Sequence, residues 1–338
     1  MSGFGSVLVL ASKNDFHADA VVSHCREAGV HVVRFDSEDA WDEESELNWS
    51  ISNDRGGSCV FRRGGECIDA DDVCSVYCRS MEFVRCPEES AIDEHLHYAE
   101  SRSAFTGFMR SLEGRYWMNP PWYDEMADNK LFQLECAVKA GLKVPRTLAT
   151  TSPDAFFDFY RQCNGNVIIK QMSDICLVDD SEMRATALCE GVDATAYGFY
   201  TTKISEDHLL AVKDIINTPC LFQECIKKAA DIRVTFVDGK IFSALIDSQS
   251  NRESITDFRR VCDLPAYEYR LPEELATRLT NMIRDWGLRF AACDFVLKDN
   301  GEHIFLEANV AGNWLWLETQ IELPISSRIA SCLIGAAQ

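Results

Sequence analysis

The sequence predicts an α/β protein with more than one packed unit, and three local patterns carry that prediction. A β-α-β pattern opens the chain, and two β-hairpin patterns stand in its last third. The opening consists of the apolar run Ser6–Ala11, a helical stretch from about Ala18 to Ala28 that ends at Gly29, and the β-rich run Val30–Phe35. Strand, helix and strand in this order are typical of an α/β unit.

The two hairpin patterns are marked by their turns. An Asp-Gly pair separates the β-rich runs Ile232–Val237 and Lys240–Asp247. This pair between such runs is a strong short-range signal for a hairpin. A second hairpin joins Ala291–Lys298 to His303–Ala308 through an Asp-Asn-Gly turn. The last third of the chain should therefore contain at least four strands that pair locally.

The middle of the chain alternates helices with short strands, and a proline pair interrupts it. The predicted elements are an acidic hairpin or excursion from Asp36 to Gly57, the strand Cys59–Arg63, a helix or helix pair over Glu88–Leu112, the helix Lys130–Ala140, the strands Val144–Thr147, Val167–Lys170 and Leu221–Ile226, and the helix Pro272–Trp286. Consecutive prolines end a helix, so the first boundary between units is placed at Trp117–Pro121. With 338 residues and 46% hydrophobic side chains, the chain can fill two or three cores.

The charge balance excludes some partners. Asp and Glu number 54 against 33 Lys and Arg, which gives a net charge of -21. Such a surface repels a phosphate backbone or an anionic membrane, so neither nucleic acid nor membrane is an expected partner. No apolar stretch reaches about 18 residues, the length needed to span a bilayer. An acidic protein can still hold ATP where a few cations converge, and its Lys and Arg residues are therefore informative.

The 15 cysteines do not indicate a disulfide scaffold, because their number is odd and the chain is large. The apolar run Val7–Ala11 is too short for a secretion signal and lacks a basic flank. A reducing cytoplasm is the expected location. Zinc is the alternative use of the thiols. The candidates are Cys74 and Cys78, with Cys59, Cys67 and Cys86 near by, but their spacing matches no established zinc motif.

The last hairpin holds the most specific set of polar residues. Asp294 stands on its first strand, and Glu307 and Asn309 stand two residues apart on its second, so period-two geometry places those two on one face. Mg²⁺ prefers a few carboxylate or amide oxygens together with substrate phosphates. The alternative is a solvent-facing acidic strand pair. The flanking apolar residues, among them Phe295 and Phe305, favour burial and hence the metal site.

A series of motifs runs in order along nearly the whole chain. They are KNDFHADAVV, VFRR, WMNPPWYDEMADNKLFQL, GLKVPRTLATTSP, VIIK, FQECIKKAADIRVTFVDGKIFSALIDSQ, DFRR, and DFVLKDNGEHIFLEAN followed by VAGNWLWLE. In order and spacing they resemble the ATP-grasp superfamily and, within it, the graspetide ligases that macrocyclise microviridin-type ribosomal peptides. The resemblance implies an α/β ATP-grasp fold in three parts. These are an N-terminal Rossmann-like pre-ATP-grasp domain over residues 1–118, a central peptide-binding domain over 119–218, and a C-terminal catalytic domain over 219–338.

The resemblance also implies a role for each residue that matches the family's motifs. The residues expected at ATP are Lys130 and Lys170 on the phosphates, and Gln223, Glu224, Cys225 and Ile226 along the adenine. The residues expected at the reacting groups are Asp231 near the ribose or substrate, Arg233 at the phosphate or acceptor carboxylate, and Arg259 at the transferring phosphate. The residues expected at Mg²⁺ are Asp294, Glu307 and Asn309. A homodimer is expected as well.

Each of these residues has a structural alternative. A lone lysine at a strand end, such as Lys170, is more often a solvated charge. Asp231 and Arg233 share one face of their strand and could form a simple surface ion pair, and Arg259 could lie in a surface loop beside Arg260. His17, near the first strand end, has no evident catalytic partner and is interpreted as structural. Core packing is likewise the preferred interpretation of Trp314 and Trp316.

The chain departs from the family at two places. Graspetide ligases usually carry Asn-Pro-x-Gly-Gln-Trp after the last strand, whereas this chain has Asn309-Val310-Ala311-Gly312-Asn313-Trp314, and the acidic residue of the motif DIR is Asp231 where Glu is frequent. An acyl phosphate must be protected from water, so a loop should cover the nucleotide, and residues 191–200 are the candidate.

Three functions compete at this point. The first is an ATP- and Mg²⁺-dependent ligase that joins Asp or Glu side chains of a precursor peptide to its Thr, Ser or Lys side chains. The second adds a free amino acid to a protein terminus or small-molecule carboxylate, as ribosomal-protein glutamate ligases and glutathione synthetases do. The third is a nucleotide-binding module with a degraded site, and the intact set of Lys, Arg and metal-binding residues argues against it.

Overall fold

The structure is a computed structural model that describes residues 5–36, 45–54, 56–63, 65–79, 90–172 and 200–337. Within these residues the strands are β1 Ser6–Ala11, β2 Val32–Asp36, β3 Ser45–Ser52, β4 Gly56–Arg63, β5 Glu66–Asp69, β6 Val73–Cys78, β7 Tyr116–Met118, β8 Thr147–Thr150, β9 Val167–Lys170, β10 Thr202–Lys203, β11 Cys220–Glu224, β12 Ala230–Val237, β13 Lys240–Ile246, β14 Ala266–Glu268, β15 Phe290–Leu297 and β16 His303–Asn309. The helices are α1 Phe16–Glu27, α2 Ala91–Ser111, α3 Pro121–Ala127, α4 Lys130–Lys139, α5 Pro153–Gln162, α6 Glu206–Leu210, α7 Glu273–Asp285, α8 Leu315–Ile321 and α9 Ile325–Ala337. Short 3₁₀ helices span Val212–Asn217 and Phe258–Arg260.

The first sheet is parallel, in the order β2-β1-β6-β7. Strand β1 is buried from Val7 to Ala11, as expected of a strand covered on both faces. Helix α1 is capped at its N-terminus by Asp15, whose side chain accepts a hydrogen bond from the Ala18 N–H, and it ends before Gly29, which has φ +76°. The predicted β-α-β opening is confirmed. The acidic excursion ends in a hairpin, because β3 pairs with β4 in a small antiparallel sheet with β5.

The second sheet is antiparallel, in the order β10-β9-β11-β8. Strand β9 occupies the predicted residues, but β8 begins at Thr147, where a strand over Val144–Thr147 was predicted. Pro145 lies within that run and has no N–H to donate, so pairing with β11 starts only at Thr147. Strand β11 belongs to this central sheet although it follows residue 218. The three-domain division itself stays a prediction.

The third sheet is the largest and runs β14-β13-β12-β15-β16. Its neighbouring strands pair antiparallel, so both predicted hairpins are confirmed. Strand β12 lies at the centre and all eight of its residues are buried. A register shift follows Asp294, which faces Glu307 while the next residue, Phe295, faces Phe305. This bulge inserts Leu306 into the edge strand and redirects the side chains beside it.

The last helix ties the two ends of the chain together. Helix α9 packs against α1 and β6 of the first sheet. One apolar core accordingly contains Val7 and Val21 from the N-terminal region together with Phe290, Trp314 and Ile329 from the C-terminal region. This shared core fixes the first sheet against the third. Within the described residues no helix is both long and apolar enough to cross a membrane.

Candidate active site

Three charged side chains, called here the charged row, lie side by side across the third sheet. Arg233 on β12 is directly opposite Asp294 on β15, and Asp294 is opposite Glu307 on β16. All three are buried. Asn309 follows Glu307 by two residues, so period-two geometry turns it to the same face. The register of three strands thus brings together the charged row, whose residues are up to 74 positions apart in the sequence.

Arg233 holds Asp294. Its Nη1 lies 3.0 Å from each carboxylate oxygen of Asp294, and its Nη2 donates to the Asn313 carbonyl at 3.0 Å. Burial raises the pKa of Asp294, the charge of Arg233 opposes this, and the neighbouring Glu307 adds to the rise. Asp294 therefore depends on a nearby cation to remain ionised.

The pKa of Glu307 is displaced in the opposite direction, downward. Lys170, at the end of β9 in the central sheet, places its Nζ 3.0 Å from Oε2 of Glu307. Burial by itself would raise the pKa of Glu307, but the charges of Lys170 and Lys130 outweigh burial and hold that pKa low. Both predicted phosphate-binding lysines thus act on one carboxylate of the charged row, and Lys170 is not a solvated strand end.

Asp231 and Arg233 do not form an ion pair with each other, and neither is on the surface. Asp231 is buried and pairs instead with Lys228, whose Nζ lies 2.9 Å from Oδ1 and 2.6 Å from Oδ2. Burial raises the pKa of Asp231, and Lys228 counters that effect. The surface-pair alternative is therefore wrong for both residues, because each pairs with a separate buried partner.

Arg259 is anchored by the residue two positions before it. Its Nε and Nη2 donate to the two carboxylate oxygens of Asp257 at 2.9 and 2.6 Å, and Asp257 also accepts the N–H of Thr201 at 3.1 Å. Burial acts to raise the pKa of Asp257, but the bonds from Arg259 lower it to about 2. Arg260 instead stacks over the Tyr200 ring, with its guanidinium carbon 4.7 Å from the ring centre. The structure thus separates the two arginines.

Two clefts meet at the charged row. The first lies between the central and third sheets, and its walls include Lys170, Gln223, Glu224, Cys225, Ile226, Lys228, Asp231, Arg259, Asp294 and Glu307. The second has a volume of about 740 Å³, and its walls include Asp128, Arg233, Phe258, Arg259, Leu264, Asp294, Asn309, Gly312, Asn313 and Trp316. Asp294 and Arg259 belong to both clefts. The charged row and Arg259 therefore stand where two bound molecules could meet.

All the site residues proposed from the sequence come together here. Eleven line one of the two clefts, and the twelfth, Lys130, acts on Glu307 through its charge. The assigned roles stay predictions. His17 accepts the Leu315 N–H and packs edge-on against Trp314, which agrees with a structural role. Trp314 is core, whereas Trp316 lines the second cleft. The candidate cover at 191–200 lies outside the described residues except for Tyr200.

Sequence reasoning missed four residues of this region. Lys228 and Asp257 stand inside motifs already recognised, three residues before Asp231 and two before Arg259, so their spacing could have identified them. Arg79 donates to the carbonyls of Ala311 and Gly312, 232 and 233 positions further along the chain, and no local signal points to it. Thr201 contributes only its backbone, which a sequence pattern cannot reveal.

The oxygen donors present fit Mg²⁺. Within the described residues no three His, Cys, Asp or Glu side chains cluster as a metal site. Asp294 and Glu307 supply two carboxylates and Asn309 an amide, which suits an ion that takes its remaining ligands from phosphates and water. The cysteines proposed as zinc ligands, Cys59, Cys67, Cys74 and Cys78, form no such cluster within the described residues, and Cys86 lies outside them.

Comparison with known proteins supports the same class. Residues 6–125 match the family model of the MvdD pre-ATP grasp domain. The macrocyclase MdnC of Microcystis aeruginosa MRC, solved with the precursor peptide MdnA, is 26% identical over 98% of this chain and 99% of its own, with a TM-score of 0.81. The macrocyclase MdnB of the same organism is 27% identical over 97% and 99%, with a TM-score of 0.78. None of the curated proteins matches.

A third solved structure, a RiPP-associated ATP-grasp ligase of Chryseobacterium gregarium in complex with ADP and a leader and core peptide, shares the fold. It is 23% identical over 98% of this chain and 97% of its own, with a TM-score of 0.85. The fold and the site define an ATP-grasp ligase with an N-terminal pre-ATP-grasp domain. Within that class the chain resembles the macrocyclases that act in the biosynthesis of ribosomal peptides.

Proposed function

We propose that this ligase uses ATP to phosphorylate Asp or Glu side chains of a ribosomal precursor peptide and then joins them, as esters or amides, to Thr, Ser or Lys side chains. The observation that carries the proposal is the position of the charged row between two clefts. One cleft has the features of a nucleotide site, and the other is open and lined by Arg233 and Arg259. The likeness to MdnC, which was solved with its precursor peptide, supports a peptide as the substrate.

The first cleft would hold ATP. The N–H groups of Glu224 and Cys225 are already donated to carbonyls of Arg146 and Asn166, each at 2.9 Å. A contact with adenine would therefore fall to the next N–H, that of Ile226. Gln223 is buried beside it and its Oε1 accepts no hydrogen bond within the described residues, so it is available to the adenine amino group.

The phosphates would lie toward the charged row, where Lys170 and Lys130 act on Glu307. The free volume of this cleft is only about 70 Å³, well below the roughly 300–1,000 Å³ typical of ligand sites. The Lys170–Glu307 pair joins its two walls. We expect the walls to separate and Lys170 to turn from Glu307 to phosphate when the nucleotide enters.

Asp294, Glu307 and Asn309 would hold Mg²⁺. When bound there, the ion neutralises charge on the phosphate oxygens. Its arrival would also explain the arrangement of the charged row, because Asp294 is buried and needs a cation to stay ionised. Arg233 already fills part of that need and remains beside the second cleft.

The second cleft would take the acidic side chain of the peptide. Arg233 and Arg259 would align its carboxylate with the γ-phosphate. A carboxylate oxygen bonds to the γ-phosphorus while the bond to the bridging oxygen of ADP breaks, which yields ADP and an acyl phosphate. The peptide hydroxyl or amine then bonds to the acyl carbon as phosphate leaves, and its proton goes to water or to the departing phosphate.

The test is to incubate the purified protein with ATP, Mg²⁺ and a precursor peptide rich in Thr or Ser and Asp or Glu, sought among the neighbouring open reading frames. The expected products are ADP, phosphate and a peptide that has lost one water for each link. Stoichiometric AMP would overturn the acyl-phosphate route. A peptide or small molecule that gained a free amino acid would instead establish the amino-acid ligase alternative.

The proposal extends to a homodimer in a reducing cytoplasm. The twelve cysteines among the described residues are all free thiols, which is consistent with such a compartment. Sedimentation of the purified protein at several concentrations measures its oligomeric state, and a monomer throughout would contradict the dimer.

A further inference from the structure

The segment that follows β16, residues 309–314 and called here the Asn309 loop, is held largely by the N-terminal half of the chain. Asn119 donates to the Val310 carbonyl at 3.0 Å. Just before the loop, the Gln133 side chain donates to the Ala308 carbonyl at 2.7 Å and accepts the Ala308 N–H at 2.9 Å. The loop begins with a proposed metal ligand and ends in the buried Trp314. Its backbone position therefore decides where the Asn309 side chain stands.

Arg79 makes the densest set of contacts with this loop. It directly follows β6 in the first sheet and is only 6% exposed. Its Nη1 donates to the Ala311 carbonyl and more weakly to that of Gly312 at 3.5 Å. Its Nη2 donates to Oδ1 of Asn313 at 2.5 Å. One side chain from the first sheet thus donates hydrogen bonds to three successive residues of the loop.

The guanidinium of Arg79 is itself fixed from behind. Its Nε lies 3.2 Å from the Asp15 carboxylate, as an ion pair rather than an aligned hydrogen bond. Asp15 is in turn the cap of α1 and accepts the Ala18 N–H at 3.0 Å. The contacts therefore run from the N-terminus of α1, through Asp15 and Arg79, to the Asn309 loop.

The other side of the loop faces the charged row. Arg233 donates through Nη2 to the Asn313 carbonyl at 3.0 Å, while its Nη1 holds Asp294. Asn313 thus lies between two arginines, with its side chain bound to Arg79 and its carbonyl to Arg233. The loop has no room to shift, because a Cβ on Gly312 would come within 2.6 Å of Ala292 and 2.7 Å of Arg233.

We propose that Arg79 is a positioning residue of the active site, which sets Asn309 and Arg233 in place through the Asn309 loop. This rests on the proposed function in one respect, that Asn309 belongs to the Mg²⁺ site. The N-terminal region would then take part in metal binding without touching the metal. Arg79 suits the task because its planar guanidinium can bind several acceptors at once, whereas lysine supplies a point charge.

Arg34 offers a matched control. It lies in the same first sheet, pairs with Asp36 at 2.7 Å and with Asp19, and donates to the carbonyls of Ser12 and Lys13. It therefore has the same kinds of partner as Arg79, two acidic or amide side-chain groups and two carbonyls, but all of them belong to its own region. A purely structural arginine and a positioning arginine can thus be compared by the same substitution.

The experiment measures binding of Mn²⁺, as a probe for Mg²⁺, to the full chain saturated with ADP. Arg79→Lys should weaken Mn²⁺ affinity about 10- to 100-fold, as loss of a residue that orients metal ligands does. Metal-free ADP affinity should stay unchanged. Arg34→Lys should shift the melting temperature by a similar amount and leave Mn²⁺ affinity unchanged. Equal Mn²⁺ affinity in the unmodified protein and Arg79→Lys would overturn the inference, as would equal weakening in both variants.

A double-mutant cycle tests whether Arg79 acts on the metal site through the Asn309 loop. If Arg79 acts through the loop, Arg79→Gln and Asn313→Ala should each weaken Mn²⁺ binding, and the double variant should be little worse than Arg79→Gln alone. Fully additive effects would contradict the proposal. The readout needs no peptide. An absence of Mn²⁺ binding by the unmodified protein would refute the metal site and this inference together, whereas a failure of peptide ligation with metal binding intact would refute only the proposed reaction.

Discussion

Two neighbouring carboxyl groups of the charged row have pKa values displaced in opposite directions. Burial raises the pKa of Asp294, whereas Lys170 and Lys130 hold that of Glu307 low despite its burial. Two buried carboxylates side by side repel each other, so both can be ionised only if cations surround them. Arg233 and Lys170 meet part of that requirement, and a divalent cation would complete it.

The first prediction concerns these two carboxylates. Glu307→Gln and Asp294→Asn should each lower turnover by more than about 100-fold, because each removes a charged oxygen ligand with little change in volume. Steady-state ADP release with the peptide substrate measures the effect. The control is Glu302→Gln on the same hairpin, whose carboxylate pairs with Lys298 at 2.6 Å and also with Lys143 outside the clefts. Full turnover in both test variants would show that the pair is only structural.

The second prediction is that Arg233→Lys loses at least about 100-fold in product formation while ADP affinity is retained. Lysine keeps the charge beside Asp294 but cannot bind the carboxylate and the Asn313 carbonyl together. Alanine is a poorer test, since removing one partner of a buried pair costs about 3–5 kcal/mol of folding stability. Calorimetry with ADP separates the cases, and loss of the nucleotide signal would move Arg233 into the nucleotide site.

The third prediction concerns pH. Burial, with the charge of Arg79, lowers the pKa of His17 from 6.5 to about 4. Between these values the unfolded chain binds a proton that the folded chain does not, so folding stability falls as pH drops from about 6.5 to about 4. His17→Gln should therefore flatten the loss of urea-unfolding free energy over that range. His95→Gln, on the exposed side of α2, is the control. If the unfolding free energy changed equally with pH in the unmodified protein and both variants, the lowered pKa of His17 would be contradicted.

At the scale of elements, one loop beside the candidate active site is held from both the first and the third sheet. The Asn309 loop connects β16 to α8 and passes between Arg79 of the first sheet and Arg233 of the third. Gly312 stands at its tightest point, where only a residue without a Cβ fits. Glycine is required at this position because of the limited space, not because of its backbone conformation.

The fourth prediction follows from that packing. Gly312→Ala should lower stability by about 1–3 kcal/mol and reduce turnover together with metal affinity, because the new methyl group must displace Arg233 or Asn309. Gly114→Ala is the control, since a Cβ there meets nothing within 4 Å. Denaturant unfolding and ADP release measure the two effects. An unchanged turnover in Gly312→Ala would show that the loop adapts without disturbing the charged row.

At the scale of the whole molecule, we propose that nucleotide chemistry and peptide recognition occur on separate surfaces. A macrocyclase that closes several different rings cannot grip every acceptor tightly at the active site, so affinity must come from elsewhere on the peptide. Two surfaces are candidates for that contact, the hairpin Ile232–Asp247 and the segment 206–217. The hairpin is a poor one, because its first strand is buried at every residue in the centre of the third sheet. The segment 206–217 exposes Leu210 and Ile216, at 80% and 67%.

The fifth prediction is that a full precursor is processed much faster than its core segment alone. A leader bound to segment 206–217 would raise the local concentration of the core to about the millimolar range. The leader added as a separate peptide should restore only part of the rate. The double change Leu210→Ser with Ile216→Ser should reduce the advantage of the full precursor and leave the rate on the isolated core unaltered. Equal rates on the core segment and the full precursor would refute a leader-binding surface separate from the active site.

The sequence by itself determined the local elements and the chemical inventory of this protein. The β-α-β opening, the two hairpins, strand β9 and helix α4 follow from short-range periodicity and turn residues, which act within a few positions of the chain. The motif that ends in Glu307 and Asn309 supplied the proposed metal ligands by type and spacing. Its resemblance to graspetide ligases indicated the class of enzyme.

Only the tertiary structure decided which side chains neutralise one another. Strand register placed Arg233 opposite Asp294, and the packing of the central sheet on the third brought Lys170 to Glu307. Arg79 reaches the Asn309 loop because α9 fastens the two ends of the chain into one core. Long-range pairing of this kind leaves no periodic trace in the sequence, since the contacting residues lie 61, 137 and 232 positions apart and are selected by geometry in three dimensions.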